Sequence, residues 1–231
     1  MIRVENLKKT YYLGVVEVPA LRGITFEVKR GDFLGLMGPS GSGKSTLLHL
    51  LGLIDDPTSG TIHIDGADVL QLDDDDRTDF RLNKMGYIFQ EYALVPELTV
   101  LENVALTAMA RGISDEESRR ASKEILTTIG LSERLSHLPK ELSGGEQQRV
   151  AIARSMVNRP LILFADEPCA NLDTDNSRIV LNQFHTINEE LGQTIVMVSH
   201  EEWHKEYFHR IVYLKDGMID RDEDRREHNV G

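Results

Sequence analysis

Residues 38–45 read GPSGSGKS, which fits G-x-x-x-x-G-K-[ST], the spacing of a loop built to hold phosphate. The chemistry follows from the residue types. Gly38, Gly41 and Gly43 let backbone N–H groups approach phosphate oxygens, with Pro39, Ser40 and Ser42 between them. A helix beginning at this point adds the positive end of its dipole. Lys44 is placed to reach the β- and γ-phosphates of a nucleoside triphosphate, Ser45 to ligate Mg2+, and Thr46 to complete the nucleotide-contacting turn. A chance glycine-rich turn would not have both a buried strand before it (FLGLM, 33–37) and an apolar helix after it (KSTLLHLLGL, 44–53).

A second group stands at 161–167, LILFADE, where two acids end an apolar strand. Asp166 is placed to hold Mg2+, through water, and Glu167 to orient and deprotonate an attacking water. Alone, such a pair reads as a loop cap; beside a phosphate loop it reads as catalytic. His200, ending TIVMVSH, and Gln90, ending MGYIFQ, occupy strand ends where ligand sites of open α/β sheets collect. Taken singly, neither is more catalytic than structural. Tyr11 either stacks on an adenine face or packs in an edge strand.

LSGGE (142–146) admits two readings. Ser143 and Glu146 have the spacing of a capping box, which does no more than start a helix. Ser143, Gly144 and Gly145 also leave backbone N–H groups open to an anion. A chain that already has one phosphate loop uses a second if it serves another copy. With two-fold symmetry, the glycine pair of one chain covers the open face of the γ-phosphate held by the other, and the nucleotide glues the two together.

The elements that must position these groups alternate between strand-like and helix-like along most of the chain, which predicts an α/β fold. The spacing predicts strands at 23–28, 61–66, 85–90, 161–168 and 194–200, and a terminal hairpin at 210–219. The tail from Asp220 reads as frayed. LDDDDRTDFRLNK (72–84) predicts a short helix with a solvated acidic first turn. Thr99 with Glu102, and Ser114 with Glu117, mark two further helix starts, the second helix stopping at Gly130. A helix over about 176–191 turns Val180, Phe184, Ile187 and Leu191 to one side. The expected division is a single domain, 1–231. Its core comprises about 1–90, with antiparallel strands, and 158–231; a helical subdomain covers about 91–157.

Bulk properties narrow the function. Of 231 residues, 40% are hydrophobic and 28% charged, with net charge −12. That balance disfavours nucleic acid or anionic lipid as the main partner, because phosphate binding runs on clustered Lys and Arg. The single cysteine, Cys169, excludes an internal disulfide and a cysteine-built zinc site. The first residues carry no apolar signal region, and no apolar run approaches the length of a membrane span. The expectation is a soluble, cytoplasmic chain.

In order, GPSGSGKS, Gln90, LSGGE, LILFADE, Leu172–Asp173 and His200 resemble the ATP-binding cassette (ABC) ATPases over nearly the whole chain. Three longer stretches, LHLLGLIDDPTSG, GYIFQEYALVPELTVLENV and ALRGITFEVKRGDF, are similar to the lipoprotein-releasing, macrolide-export and cell-division branch. The resemblance implies a P-loop NTPase fold with a mixed sheet, an N-terminal antiparallel β subdomain and an α-helical subdomain. It implies ATP and Mg2+ as cofactors, and a homodimer with two ATP sandwiched between Lys44-side and Ser143–Glu146-side faces. Tyr11 would stack on adenine, Gln90 couple the lobes and meet the metal with Ser45 and Asp166, His200 contact the γ-phosphate, and Asp173 cross the dimer. The partner would be an integral membrane permease, with the ATPase on the inner face of the membrane. Glu146, Cys169 and Glu201 depart from the usual pattern (glutamine, threonine or serine, and aspartate). Competing classes are disfavoured: no heptads of a DNA-maintenance ATPase separate Ser45 from Ser143, a translation factor generally carries two cassettes, and a small-molecule phosphotransferase leaves LSGGE unexplained.

Overall fold

The computed structural model describes residues 1–226. Its elements run β1 (Ile2–Leu13), β2 (Val16–Val28), β3 (Phe33–Met37), α1 (Lys44–Leu51), β4 (Ser59–Ile64), β5 (Ala67–Asp68), α2 (Asp74–Lys84) and β6 (Met85–Ile88). Then come α3 (Val100–Met109), α4 (Asp115–Thr128), α5 (Gly144–Met156), β7 (Ile162–Asp166), α6 (Thr174–Leu191), β8 (Thr194–Val198), β9 (Arg210–Lys215) and β10 (Met218–Asp224).

Two sheets form. The first is antiparallel, in the order β2-β1-β4-β5; the second runs β10-β9-β3-β8-β7-β6, parallel except for β10. The parallel strands are buried on both faces, which is why they read as unbroken apolar runs. Side chains alternate across the pleat. Leu34, Leu36, Phe164, Val196 and Val198 join α1 and the antiparallel sheet in one core. Phe33, Met37, Leu163, Ile195 and Met197 meet α5 and α6 in another. A third core, with Val100, Val104, Leu126, Ile129, Leu142 and Val150, lies among α3, α4 and α5. Because α5 also gives Ala151, Ile152 and Met156 to the second core, it fastens the helical segment to the sheet.

Local signals set most helix starts. Asp73 accepts from the Asp76 N–H at 2.8 Å, with Asp74–Asp76 in the first turn of α2. Thr99 and Glu102 form both arms of a capping box on α3. On α4 the arrangement is half a box: Ser114 accepts from the Glu117 N–H, while the Glu117 carboxylate takes the Ser114 hydroxyl.

Three expectations are corrected. The spacing sets no bounds for strand β1, although Tyr11 admits an edge-strand reading, because a bulge at Glu5–Asn6, with Asn6 at φ 47°, changes the buried spacing from Ile2–Val4 to Val4–Leu7 and breaks period two. Asp220–Asp224 is not frayed but pairs with β9, held by Arg210 against Asp222 and by Arg226 bridging Asp224 and the buried Asp32. Residues 227–231 of that tail lie outside the described residues. Leu191 does not share the buried face of Val180, Phe184 and Ile187 but is 61% exposed at the last turn of α6.

Candidate functional site

The loop between β3 and α1 wraps one end of a cleft of about 760 Å3, at the carboxyl ends of the parallel strands. Gly38, Pro39, Ser40, Gly41, Gly43, Lys44, Ser45, Thr46, Glu167 and His200 all line it. Glycine is required at two points. Gly38 has φ 139°, and a Cβ there would lie 2.1 Å from the Leu214 carbonyl; Gly43 has φ 101° and would meet the Ala20 carbonyl at 2.7 Å. The loop can take this shape only without side chains at these positions. Ser42 turns inward instead, its Oγ buried without a partner.

Lys44 is 6% exposed, and its Nζ donates to the carbonyls of Gly38 (3.0 Å) and Pro39 (2.9 Å). Burial draws the ammonium below its ordinary value, opposed by the charges of Glu167 and Asp166. Ser45 Oγ donates to Asp166 Oδ1 at 2.9 Å, across 121 residues of sequence. Hydroxyl and carboxylate oxygens brought together this way suit a hard divalent cation such as Mg2+. The second oxygen, Asp166 Oδ2, lies 3.2 Å from His49 Nε2, a partner that sequence reading missed. A signal was present: His49 is four residues after Ser45, on the same face of α1.

Glu167 has φ 46°, a left-handed conformation uncommon outside glycine. Such geometry persists where the surroundings over-determine it, and it clusters at functional sites. It turns the carboxylate out of the strand direction toward His200, whose Nδ1 is 3.2 Å from Glu167 Oε2. The other ring nitrogen, Nε2, is 3.3 Å from Glu201 Oε1, so the glutamate that departs from the usual aspartate reaches back to hold His200. The loop is pinned underneath by Ser199, whose Oγ lies 2.7 Å from the buried His204 Nδ1 and accepts from the Glu201 N–H.

His204 supplies a pH prediction. Burial, with His200 also opposing its charge and Glu201 favouring it, lowers its pKa from 6.5 to about 4. The unfolded chain therefore takes the proton first. This histidine's share of stability is complete above about pH 6.5 and lost as pH falls toward 4, amounting to up to about 3 kcal/mol. Urea unfolding of wild type and His204→Leu across pH 4.5–7.5 checks it: the wild-type curve falls more steeply. Parallel curves refute the assignment.

The remaining sequence-predicted residues stand outside the cleft. Tyr11 is 37% exposed, and its hydroxyl donates to Asp55. Gln90 is exposed, with its carbonyl accepting from Asn171. Cys169 is buried, and burial raises its thiol to about 12, which leaves it unreactive. Asp173 is exposed and caps α6 through Asn176.

Ser143 and Glu146 do form the capping box of α5, with the Ser143 N–H donating to Glu146 Oε2 at 2.8 Å. Of the three amides expected to be open, that of Ser143 is thus already used. That hydrogen bond, with Arg134 at 2.9 Å, holds the Glu146 carboxyl at about 2. Gly144 and Gly145 are the first two residues of the helix, whose N–H groups have no partner within it.

Comparison with known proteins bears on this arrangement. A family model described as "ABC transporter" matches residues 21–170. The ABC transporter ATP-binding protein MJ0796 of Methanocaldococcus jannaschii is 43% identical over 98% of both chains. The lipoprotein-releasing system ATP-binding protein LolD of Aquifex aeolicus is 44% identical over 95% of this chain and 96% of its own. The macrolide export ATP-binding/permease protein MacB of Syntrophobacter fumaroxidans is 46% identical over 95% of this chain, which spans only 31% of that protein. A solved dimer of MJ0796, described as a post-hydrolysis state bound to ADP and Pi, superposes with a TM-score of 0.90 at 41% identity, covering 98% of this chain and 99% of that one. With the phosphate loop, the strand-end acids and the glycine-pair helix all in the matching order, the chain belongs to the ABC transporter family.

Proposed function

We propose that this chain is an ATPase that closes as a head-to-tail homodimer around two ATP and drives a membrane-spanning partner in export, extraction or transmembrane signalling. The observation that carries the reading is an incomplete site. Lys44, Ser45, Glu167 and His200 converge on one cleft, with Asp166 beside Ser45, while the Ser143–Glu146 turn does not line that cleft. A second copy supplies it. Lys44 binds the phosphates, and the N–H groups of Gly144 and Gly145 meet them from the other protomer. Ser45 and Asp166 would hold Mg2+, which when bound would offset charge on the phosphates, and Gln90, in the loop after β6, would meet the metal and couple the core to the helical subdomain (about 91–157). Glu167 takes the proton of the attacking water, and His200 fixes the orientation of that carboxylate and contacts the γ-phosphate. Asp173 meets the other protomer, and Tyr11 carries the adenine. An ABC-type ATPase acting in DNA maintenance or translation is the competing reading. It is disfavoured by the net charge of −12.

No helix among the described residues is long and apolar enough to cross a membrane; in this reading an integral membrane permease, met on the inner face, carries out the membrane step. In the segment after Gln90, Leu94 packs against two cores and so is not free for docking. Phe89, Leu106 and Met109 are exposed apolar side chains on this part of the surface, and a groove of about 550 Å3 there is lined by Tyr87, Phe89, Ala93 and Arg154 among others. A short amphipathic helix of the partner fits such a groove. Affinity purification from native membranes tests the whole reading: wild type brings down an integral membrane protein, and Phe89→Glu with Met109→Glu lowers its recovery at least about tenfold. Undiminished recovery moves the docking surface elsewhere. ATPase activity that responds to DNA or ribosomes but not to membranes overturns the transport reading.

A further inference from the structure

Asp55 lies in the loop after α1 and gathers three donors, two from side chains of β1 and one from its own loop. Its Oδ2 accepts from the Tyr11 hydroxyl at 2.8 Å, and its Oδ1 from Lys9 Nζ at 2.6 Å and from the Asp56 N–H at 2.7 Å. Lys9 also donates to the Asp56 carbonyl at 2.6 Å, and its ammonium stands 4.8 Å from the centroid of the Tyr11 ring. This is no loose surface pair, since the Lys9 side chain is 12% exposed. The loop is stitched to β1 a second time, by the Thr10 N–H to Thr58 Oγ1 and the Thr58 N–H to the Lys8 carbonyl. Partial burial works against the Asp55 charge, yet the bonds from Lys9 and Tyr11 outweigh it and hold the carboxyl below its usual range. The Tyr11 phenol also faces the Thr46 side chain, in the first turn of α1 and on the rim of the nucleotide cleft.

Tyr11 is therefore not a freely turning surface aromatic. Its hydroxyl is tethered and an ammonium stands over one face of its ring, while the residue stays 37% exposed. We propose that Asp55 and Lys9 are positioning residues for the base of the nucleotide, holding Tyr11 as a preset platform. The proposal rests on the reading above that Tyr11 carries the adenine. A ring already fixed loses no rotamer freedom when a planar base settles on it, and its cation partner, over one face, does not compete for the other.

The test separates the base from the phosphates. Equilibrium binding of MgATP, and of inorganic tripolyphosphate with Mg2+, is measured by calorimetry on the purified full chain. Asp55→Ala weakens MgATP about three- to tenfold and leaves tripolyphosphate as in wild type. Tyr11→Phe removes only the tethered hydroxyl, and the double variant binds MgATP no more weakly than Asp55→Ala alone. A parallel loss of tripolyphosphate binding, unchanged MgATP binding by Asp55→Ala, or additive effects in the double variant overturns the positioning role. Full MgATP affinity in Tyr11→Ala instead overturns the adenine reading itself, whatever Asp55 does.

Discussion

Incubated with MgATP, Glu167→Gln runs as a dimer and turns ATP over at least about a hundredfold more slowly than wild type. The substitution keeps the size of the side chain and leaves Lys44, Ser45 and Asp166 in place, so binding survives while the proton acceptor is lost. It also preserves an oxygen facing His200 Nδ1, which stands 3.2 Å from the native carboxylate. If the glycine pair of α5 completes the opposite protomer's site, a second change undoes the dimer. Gly144→Asp puts a carboxylate where the other protomer's γ-phosphate must lie, and like charges at that range in a poorly solvated interface repel by several kcal/mol. The fold accommodates the new side chain: a Cβ at Gly144 first meets the Tyr92 hydroxyl at 2.8 Å, the far end of a half-buried side chain that can turn aside. An acid in the first turn of a helix is also mildly favourable. The double variant thus binds ATP as a monomer. Size-exclusion chromatography with light scattering, with and without MgATP, reads the result. A double variant that dimerises as readily as Glu167→Gln leaves the glycine pair as a helix start and nothing more.

Lys44→Ala abolishes turnover for a different reason, and its effect should be of the same order or larger. The native ammonium is buried in the loop and held by two carbonyls, Gly38 and Pro39, in the pocket where phosphate oxygens must come. Those carbonyls, left without their cation, face the same phosphates and repel them. The loss therefore appears in nucleotide binding as well as in hydrolysis, whereas Glu167→Gln loses hydrolysis alone. Calorimetry with MgATP beside steady-state phosphate release separates the two variants. Near wild-type turnover by Lys44→Ala would falsify the assignment of the cleft.

Much of this was legible because the deciding interactions are short-range. Phosphate binding depends on glycines and a lysine within one turn, and a helix start depends on two side chains three residues apart, so the spacing in GPSGSGKS and LSGGE carries the chemistry and the helix starts directly. Buried parallel strands are apolar on both faces, which marked LILFA and TIVMV before any fold was known. Where a bulge altered the period, as at Asn6, the same rule failed and left β1 without bounds. Where pairing rested on charge, as in Arg210 with Asp222, a charged tail concealed a strand.

The sequence by itself determined the kind of chemistry, the residues able to perform it and most of the elements that carry them. Only the tertiary structure decided how those residues face one another, because the contacts join distant positions. Ser45 meets Asp166 across 121 residues, and Tyr11 meets Asp55 across 44. No local pattern encodes that Glu167 is held at positive φ or that its carboxylate meets His200 from the end of the neighbouring strand. Each depends on the angle at which one strand or loop arrives beside another, and the packing of the whole core sets that angle.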